Sequence, residues 1–274
     1  MAFKLFDYQS SGKGVSKSAP QKKPFFKYWE IFGRKFWKLI ELNMLYVLFC
    51  IPIITFGPAT AALTHVMRKF ILEQPCFVFD EFFTAFKKNF KQSVFIGIVD
   101  VIMIVSVWIA CFQFLMNESL PDGSLVFICI MICCATLVFI MHFYIYLEIV
   151  ALNLSIGSIL KNAVFLVFLG VKRNFIALII NLVIISLIVF FLPFSVFAVI
   201  FLPLSLMCFT TTFICYPVIQ KYIVNPYYEE RGERNPELGS ITEEDIAENA
   251  VFVDRGGSEK EIKATPKAHG KVIK

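Results

Sequence analysis

The sequence predicts an all-α fold, a polytopic transmembrane helical bundle of three helical hairpins with about six crossings, one of them short or re-entrant. Hydrophobic residues make up 58% of the 274-residue chain, and 32 residues are Phe. A soluble domain of this size could not bury so much apolar surface, whereas lipid can face it. The apolar residues also form runs long enough to span a bilayer, and the cationic residues lie between these runs.

Four apolar runs reach the roughly 20 residues that a transmembrane helix needs. They are Gln92–Met116, Leu125–Leu152, Asn174–Phe194 and Ser195–Ile223. A fifth run, Phe36–Phe56, is interrupted by Glu41 and Asn43. A sixth, Pro58–Leu72, is short, so that its role must be decided by other features.

The distribution of Lys and Arg decides whether the short run returns the chain. All 26 cationic side chains lie in residues 1–38, 68–91, 153–173 and 221–274. Loops that carry Lys and Arg stay in the cytoplasm, so these four segments are expected on one side of the membrane. An even number of crossings must then separate consecutive segments. This predicts that Pro58–Leu72 returns the chain, as a short tilted crossing or as a re-entrant helix, and that both termini are cytoplasmic.

The predicted membrane domain covers residues 25–223, and both ends of the chain outside it are polar. Residues 1–24 are basic and lack the apolar core of a signal peptide, which predicts a flexible cytoplasmic arm. Residues 224–274 are charged and have too few apolar side chains for a core, which predicts a mostly disordered cytoplasmic tail. Within the tail, a capping-box pattern predicts a short helix over Ile241–Asn249.

Each hairpin is expected to follow an amphipathic interfacial helix with aromatic residues on one side and cations elsewhere. Pro24–Lys35 and Phe79–Lys91 are the clear examples, and Ser155–Val171 is a weaker third. Such segments suit the membrane interface, where their cations meet the inner leaflet. The alternative is that each segment packs against the ends of neighbouring helices.

A resemblance to a known family rests on Asn43 and Leu45, on Pro52–Leu63 (PIITFGPATAAL) and on Phe82–Ser93 (FFTAFKKNFKQS). In these residues the chain resembles the YesL-like family of bacterial integral membrane proteins, a domain of unknown function, over roughly residues 30–222. Family members are often encoded near carbohydrate-uptake and sensor systems, so the resemblance implies an accessory role in sugar transport or its control. It implies no catalytic residues.

Polar side chains within the apolar runs form the first candidate site: Glu41, Asn43, Asp100, Glu148 and Asn181. Ionisable groups inside a bilayer are costly, and they mark either function or a satisfied polar cluster. On the functional interpretation, these residues line a cavity, open to the cytoplasm, that binds a cation, a proton or a polar solute. On the structural interpretation, they form hydrogen bonds between helices, each contributing about 1 kcal/mol. His142 is expected to be a helix contact.

The second candidate is a helix-turn motif formed by Thr55, Gly57, Pro58 and Thr60. Gly57 allows a tight turn, and Pro58 suits the first position of a helix. The small residues of this segment would let helices approach closely at the centre of the bundle. The alternative is a half-helix that points the positive end of its dipole at an anionic solute.

Other chemistry is not indicated by the sequence. It contains no phosphate-binding Gly-rich loop, zinc-type His pair or nucleophile elbow, and its cations form no nucleic-acid motif. We therefore expect no enzyme activity, no cofactor, no metal site and no nucleic-acid partner. The expected partners are the lipid bilayer and sugar-uptake or sensor proteins of the bacterial cell membrane.

Two functions remain open at this point. One is an accessory or regulatory component linked to carbohydrate uptake or sensing. The other is a small solute or ion transporter that uses the intramembrane acids. Convergence of Glu41, Asp100 and Glu148 on one cavity would favour transport, whereas three separate helix contacts would favour the accessory role.

Overall fold

A computed structural model describes residues 23–116, 124–152 and 154–232, together with residues 235 and 237. The chain divides into two units, Met1–Glu233 and Arg234–Lys274, and the helices discussed here belong to the first. The predicted helix over Ile241–Asn249 and all but the last two residues of the predicted arm lie outside the described residues.

Nine α-helices occur within the described ranges. They are α1 (Pro24–Cys50), α2 (Phe56–Ile71), α3 (Val78–Met116), α4 (Ser124–Ala151), α5 (Ile156–Leu169), α6 (Val171–Phe190), α7 (Ser195–Phe201), α8 (Pro203–Ile219) and α9 (Asn225–Arg231). A 3₁₀ turn over Ile53–Thr55 leads into α2, and a π-helical turn over Gln220–Val224 joins α8 to α9. The described residues contain no β-strand, which confirms the predicted all-α fold.

Four stretches are long and apolar enough to cross a membrane: Val78–Ala110, Val126–Ala151, Val171–Phe190 and Pro203–Arg231. They correspond to the four uninterrupted predicted runs and confirm a multi-pass helical membrane protein. Helix α1 packs on α2, α3 on α4, and α6 on α8, so the helices pair as the three predicted hairpins.

The first two amphipathic segments are continuous with the helices that follow them. Helix α1 has 27 residues and α3 has 39, which is about 40 and 58 Å at 1.5 Å per residue. Both exceed the roughly 30 Å hydrocarbon core of a bilayer, so part of each helix extends beyond it. Ile31 of α1 and Phe82 of α3 are buried in one cluster with Phe70 of α2. Part of each segment thus packs on neighbouring helices, whereas Phe25, Phe26 and Trp29 of the first segment and Phe79 of the second are exposed, so their placement at the interface stays a prediction. The third segment forms a separate helix, α5.

Helix α2 lies at the centre of the bundle, where it contacts α1, α3, α4 and α8. Twelve of its 16 residues are buried. Its closest approach is to α3, where Gly57 faces Gly97. A Cβ atom at Gly97 would lie 2.6 Å from the Gly57 Cα, so this contact exists only because both residues lack a side chain. The small residues of α2 thus serve close helix packing.

Helix α2 runs antiparallel to α3 and covers only part of its length. Near the end of α2, the Lys69 Nζ is 2.5 Å from the Glu81 Oε1 at the start of α3. The first turn of α2 reaches Gly97, and α3 continues from there to Met116, about 28 Å further. The turn between α1 and α2 therefore stops well short of the end of α3. This geometry favours the re-entrant alternative for Pro58–Leu72.

The predicted run Ser195–Ile223 is divided, contrary to the expectation of one continuous segment. Helix α7 ends at Phe201, Leu202 is non-helical with a φ of −143°, and α8 begins at Pro203. Proline has no N–H, and its ring clashes with the carbonyl four residues earlier, so the helix breaks here. At its other end, helical structure passes the predicted boundary at residue 223 and reaches Arg231.

Candidate functional site

The three intramembrane acids lie in separate environments. Glu41 is on the exposed side of α1, whereas Asp100 of α3 is 8% exposed and Glu148 of α4 is fully buried. No hydrogen bond or ion pair joins any two of them among the described residues, and they do not line a common cavity. The three acids therefore do not converge on one cavity, and of the three only Asp100 has a described hydrogen bond to a neighbouring helix.

Asp100 is held at the contact between α3 and α4. The Tyr146 hydroxyl donates to its Oδ2 at 2.8 Å, and the His142 Nδ1 lies 3.2 Å from the same oxygen. His142 and Tyr146 are one helical turn apart on α4, with ring centroids 4.7 Å apart. Both can therefore reach one carboxyl oxygen. Their contacts offset the cost of placing this group in an apolar segment.

His142 and Tyr146 also line a cavity of about 140 Å³ between α1, α2, α4, α6 and α8. Its remaining polar lining residues are Tyr46, Thr60, Thr64, Asn181, Cys208, Thr211 and Thr212. Its apolar lining includes Phe139 and Phe143. Among the side chains that the structure describes, no group of three or more His, Cys, Asp or Glu is placed to hold a metal ion.

The predicted polar cavity is thus only partly reproduced by the observed one. Asn181 lines it, and Asp100 lies behind two of its lining side chains, whereas Glu41, Asn43 and Glu148 lie elsewhere. The Asn181 Nδ2 donates to the Ala177 carbonyl at 2.8 Å and to the Thr211 Oγ1 at 2.9 Å. Asn181 therefore links α6 to α8 at the cavity wall.

Asn43 fills a different role, at the break between α7 and α8. Its Nδ2 donates to the carbonyls of Val199 and Ile200, each at 2.8 Å, and its Oδ1 accepts from the Ser205 N–H at 2.7 Å. The Val199 carbonyl is the one that Pro203, four residues later, cannot satisfy. Irregular backbone within a membrane segment requires such partners. One buried amide of α1 supplies them.

Glu148 is fully buried on α4. The Asn162 side chain of α5 interacts with its carboxyl group, although neither carboxyl oxygen has a hydrogen bond of normal geometry in the described structure. Its neighbours on α4, Phe143 to Leu147 and Ile149, are buried as well. Burial of a polar group is unfavourable unless it is hydrogen-bonded, so the contact with Asn162 offsets part of that cost.

The helix-turn motif closes the turn between α1 and α2. The Thr55 hydroxyl lies 2.5 Å from the Phe49 carbonyl oxygen and 2.7 Å from that of Pro52. Gly57 and Pro58 are buried, and the backbone of α3 at Ser93 lies directly against Gly57. The first turn of α2 thus faces protein, which supports the packing interpretation over an anion site. Thr60 is the member of the motif that lines the cavity.

Ion pairs join α1, α2 and α3 away from the cavity. Arg34 and Lys27 both approach Glu73, and His65 lies 3.2 Å from Glu81. The Glu73 carboxylate raises the pKa of the Arg34 guanidinium. These contacts connect α1 to the residues that follow α2, and α2 to the acidic first turn of α3.

Sequence reasoning missed two tyrosines of the site and the connection made by His142. Tyr46 and Tyr146 are ordinary aromatic residues of apolar helices in the sequence, and nothing in their spacing distinguishes them. The spacing of His142 and Tyr146 at i and i+4 was a usable signal, because such residues share one helix face. The partner Asp100 on α3 was identifiable as an intramembrane acid, but its pairing was not.

Comparison with known families finds one match. A family described as "Protein of unknown function, DUF624" matches residues 39–111. This segment contains the end of α1, all of α2 and most of α3, and it overlaps the residues on which the YesL-like resemblance rests. No curated protein and no solved structure matches the chain.

Proposed function

We propose that the protein is an accessory or regulatory component linked to carbohydrate uptake or sensing, with no catalytic activity of its own. In this proposal it lies in the bacterial cell membrane, has both termini in the cytoplasm and acts through sugar-uptake or sensor membrane proteins. The carbohydrate link and the partners come from the YesL-like resemblance, and the orientation comes from the distribution of Lys and Arg.

The observation that favours this function over sugar transport is the size of the cavity. Its volume is about 140 Å³, and an apolar cavity of about 150 Å³ in another protein holds benzene, with about six non-hydrogen atoms. A hexose has about twice as many non-hydrogen atoms. A hexose would therefore extend beyond the cavity, and in this proposal the link to carbohydrate is carried by a partner protein.

The chemistry of the cavity also supports a role without catalysis. Cys208 and His142 both line it, but no hydrogen bond between them is found in the described structure. The Cys208 Sγ instead lies 3.7 Å from the Thr64 Oγ1 and 3.9 Å from the Thr212 Oγ1. A nucleophilic Cys requires a base within hydrogen-bond reach, and the hydrogen-bond contacts described for Cys208 are to two threonine hydroxyls.

Co-purification from native membranes tests this proposal. The tagged full-length protein is cross-linked in intact cells, solubilised in several mild detergents and compared with an unrelated polytopic protein carrying the same tag. We expect enrichment of a sugar-uptake permease or a membrane sensor over the control. Recovery of the protein without a reproducible partner in every detergent would contradict the accessory function.

A small solute or ion transporter is the second candidate, and it is favoured by the position of Asp100 beside the cavity. Uptake of ions and small solutes into reconstituted vesicles tests it. Asp100→Asn is expected to reduce uptake, whereas Glu41→Gln, on the exposed side of α1, serves as a control of equal charge change. Uptake that both variants leave unchanged would remove this candidate.

A further inference from the structure

We infer that the cavity is a binding site for a small cation of the ammonium class, ammonium itself or a methylated ammonium ion. Binding of such a cation would require neither transport by this protein nor a partner protein. It deepens the transporter alternative by naming a ligand, and it is compatible with the accessory function, in which the cation would be a signal.

Several polar side chains that line the cavity already donate their protons to other protein groups. The Thr60 hydroxyl donates to the Phe56 carbonyl at 2.8 Å, and the Thr64 hydroxyl donates to the Thr60 carbonyl at 2.8 Å. A hydroxyl has a single proton. The contact of 3.1 Å between the Tyr46 hydroxyl and the Thr60 Oγ1 must therefore be a donation from Tyr46.

The same reasoning applies across the cavity, on α4 and α6. The Tyr146 hydroxyl proton is used on Asp100, and both amide protons of Asn181 are used, on Ala177 and Thr211. Five polar lining side chains, Tyr46, Thr60, Thr64, Tyr146 and Asn181, thus have no proton left for a bound molecule. They retain oxygen lone pairs, which are acceptors. A ligand that carries N–H donors or a positive charge matches these five side chains, whereas the Thr211 hydroxyl, which accepts from Asn181, keeps its own proton.

The charged side chain described beside the cavity is acidic. No Lys or Arg is among the described residues that line the cavity, whereas the acidic Asp100 lies directly behind Tyr146 and His142. In an apolar segment the interaction of a cation with Asp100 is weakly screened.

The wall of the cavity is rich in aromatic residues. Its lining residues include Tyr46, Phe139, Phe143 and Tyr146. Aromatic faces attract cations, and clusters of them are a common device for recognising ammonium groups. The volume sets the upper size: by the comparison with benzene, about six non-hydrogen atoms fit. Ammonium, methylammonium and tetramethylammonium all meet this limit, and N-methylglucamine does not.

Ligand-induced stabilisation of the purified full-length protein in lipid nanodiscs tests the inference. The probes are the chlorides of ammonium, methylammonium, tetramethylammonium and N-methylglucamine at constant ionic strength, with glycerol as a neutral probe of similar size. We expect a saturable rise in melting temperature with at least one of the three small cations and none with N-methylglucamine or glycerol.

Variants decide whether the binding occurs in this cavity. Asp100→Asn keeps an acceptor for Tyr146 but removes the charge, and we expect it to raise the apparent Kd by about tenfold or more. Tyr46→Phe, which removes one acceptor without changing charge, is expected to raise it several-fold and remains informative if Asp100→Asn does not fold. Glu41→Gln is the matched control and is expected to leave the Kd unchanged.

Several results would overturn the inference. They are equal stabilisation by small and large cations, stabilisation by glycerol alone, no saturable effect of any cation, or an apparent Kd insensitive to both Asp100→Asn and Tyr46→Phe. None of these outcomes bears on co-purification with partner proteins or on vesicle uptake, so a failure here is distinguishable from a failure of either proposed function.

Discussion

The two halves of the hairpin formed by α3 and α4 share their helices but differ in packing. In the proximal half, residues 92–100 and 139–151, the side chains from Phe143 to Ile149 are all buried, as are Gly97 and Asp100. In the distal half, residues 101–116 and 124–138, none of the described side chains is buried. Both halves are apolar. What differs is the presence of a glycine, an acid, a histidine and tyrosines in the proximal half.

This difference shows that apolar composition places a helix in lipid without deciding what it packs against. Lipid tails are as apolar as Leu, so helix association in membranes depends on close fit and on polar contacts. The proximal half has both, at Gly97 and at Asp100, and it joins the bundle. The distal half lacks such residues among those described and presents its side chains outward. Four substitutions test how far this contrast extends.

The largest effect is expected for Gly97→Leu. The new side chain would meet backbone atoms of α2, which cannot move aside as a flexible side chain would. We expect a loss of more than about 3 kcal/mol, above the usual cost of overpacking, seen as failure to recover monodisperse protein by size-exclusion chromatography. Ser106→Leu, in the exposed distal part of α3, is the control. A Gly97→Leu variant with the melting temperature of the parent would contradict the close contact.

A smaller effect is expected for Leu147→Ala on α4, where the side chain is 1% exposed. A leucine released from the bundle still lies in lipid, so the cost is mainly that of the cavity, about 2 kcal/mol. Leu137→Ala makes the same change ten positions earlier, at a side chain that is 51% exposed, and should cost less than about 0.5 kcal/mol. The two free energies of unfolding are compared in one detergent; equal values would refute the contrast between the halves.

Tyr146→Phe should cost about 1 kcal/mol, the usual size of a hydrogen bond between membrane helices. The two residues share one contact, so their effects on the free energy of unfolding should not add. We expect the double variant Tyr146→Phe/Asp100→Asn to differ from the sum of the two single variants by about 0.5 kcal/mol or more. Ser106→Ala, whose hydroxyl donates within its own helix to the Ile102 carbonyl, is the distal control and should be additive with Asp100→Asn. Strict additivity of the Tyr146→Phe pair would show that the Asp100 contact is not formed.

The smallest effect is expected for Glu73→Gln, outside both halves. Glu73 pairs with Arg34 and Lys27 at an exposed site, and exposed ion pairs contribute at most about 1 kcal/mol. The effect should shrink further in about 1 M salt, where charges are screened within about 3 Å. Thermal unfolding at low and high salt measures it. A loss that persists at high salt would assign Glu73 a role beyond these pairs.

The sequence was informative about the fold because membrane insertion depends on quantities that a sequence contains directly, run length and charge position. The pairing of helices into three hairpins followed from the four cationic segments. The division at Leu202 was not predicted although Pro203 was visible, because the predicted boundary between the last two runs, after Phe194, already explained how the chain reverses. A helix can break within an apolar run only if another helix offers hydrogen-bond partners to the backbone groups that the break leaves unpaired. Which helix lies there depends on the tertiary structure and cannot be seen in the local sequence.

The candidate site was predictable in part. Asp100 and Asn181 were identified from polarity alone, since a polar residue in an apolar run must find a partner. Glu41 and Asn43 could not both line one cavity, because two positions along a helix correspond to about 200° of rotation. The structure accordingly places Asn43 inward and Glu41 outward. The cavity itself is formed by five helices, and no local pattern specifies their arrangement.

The amide of Asn43 has a consequence for the order in which the molecule is assembled. Its three partners, at Val199, Ile200 and Ser205, are synthesised more than 150 residues later. The Asn43 amide can therefore gain these partners only after the segment that contains α7 and α8 has been synthesised. A truncated chain that ends before α7 would leave the amide without them.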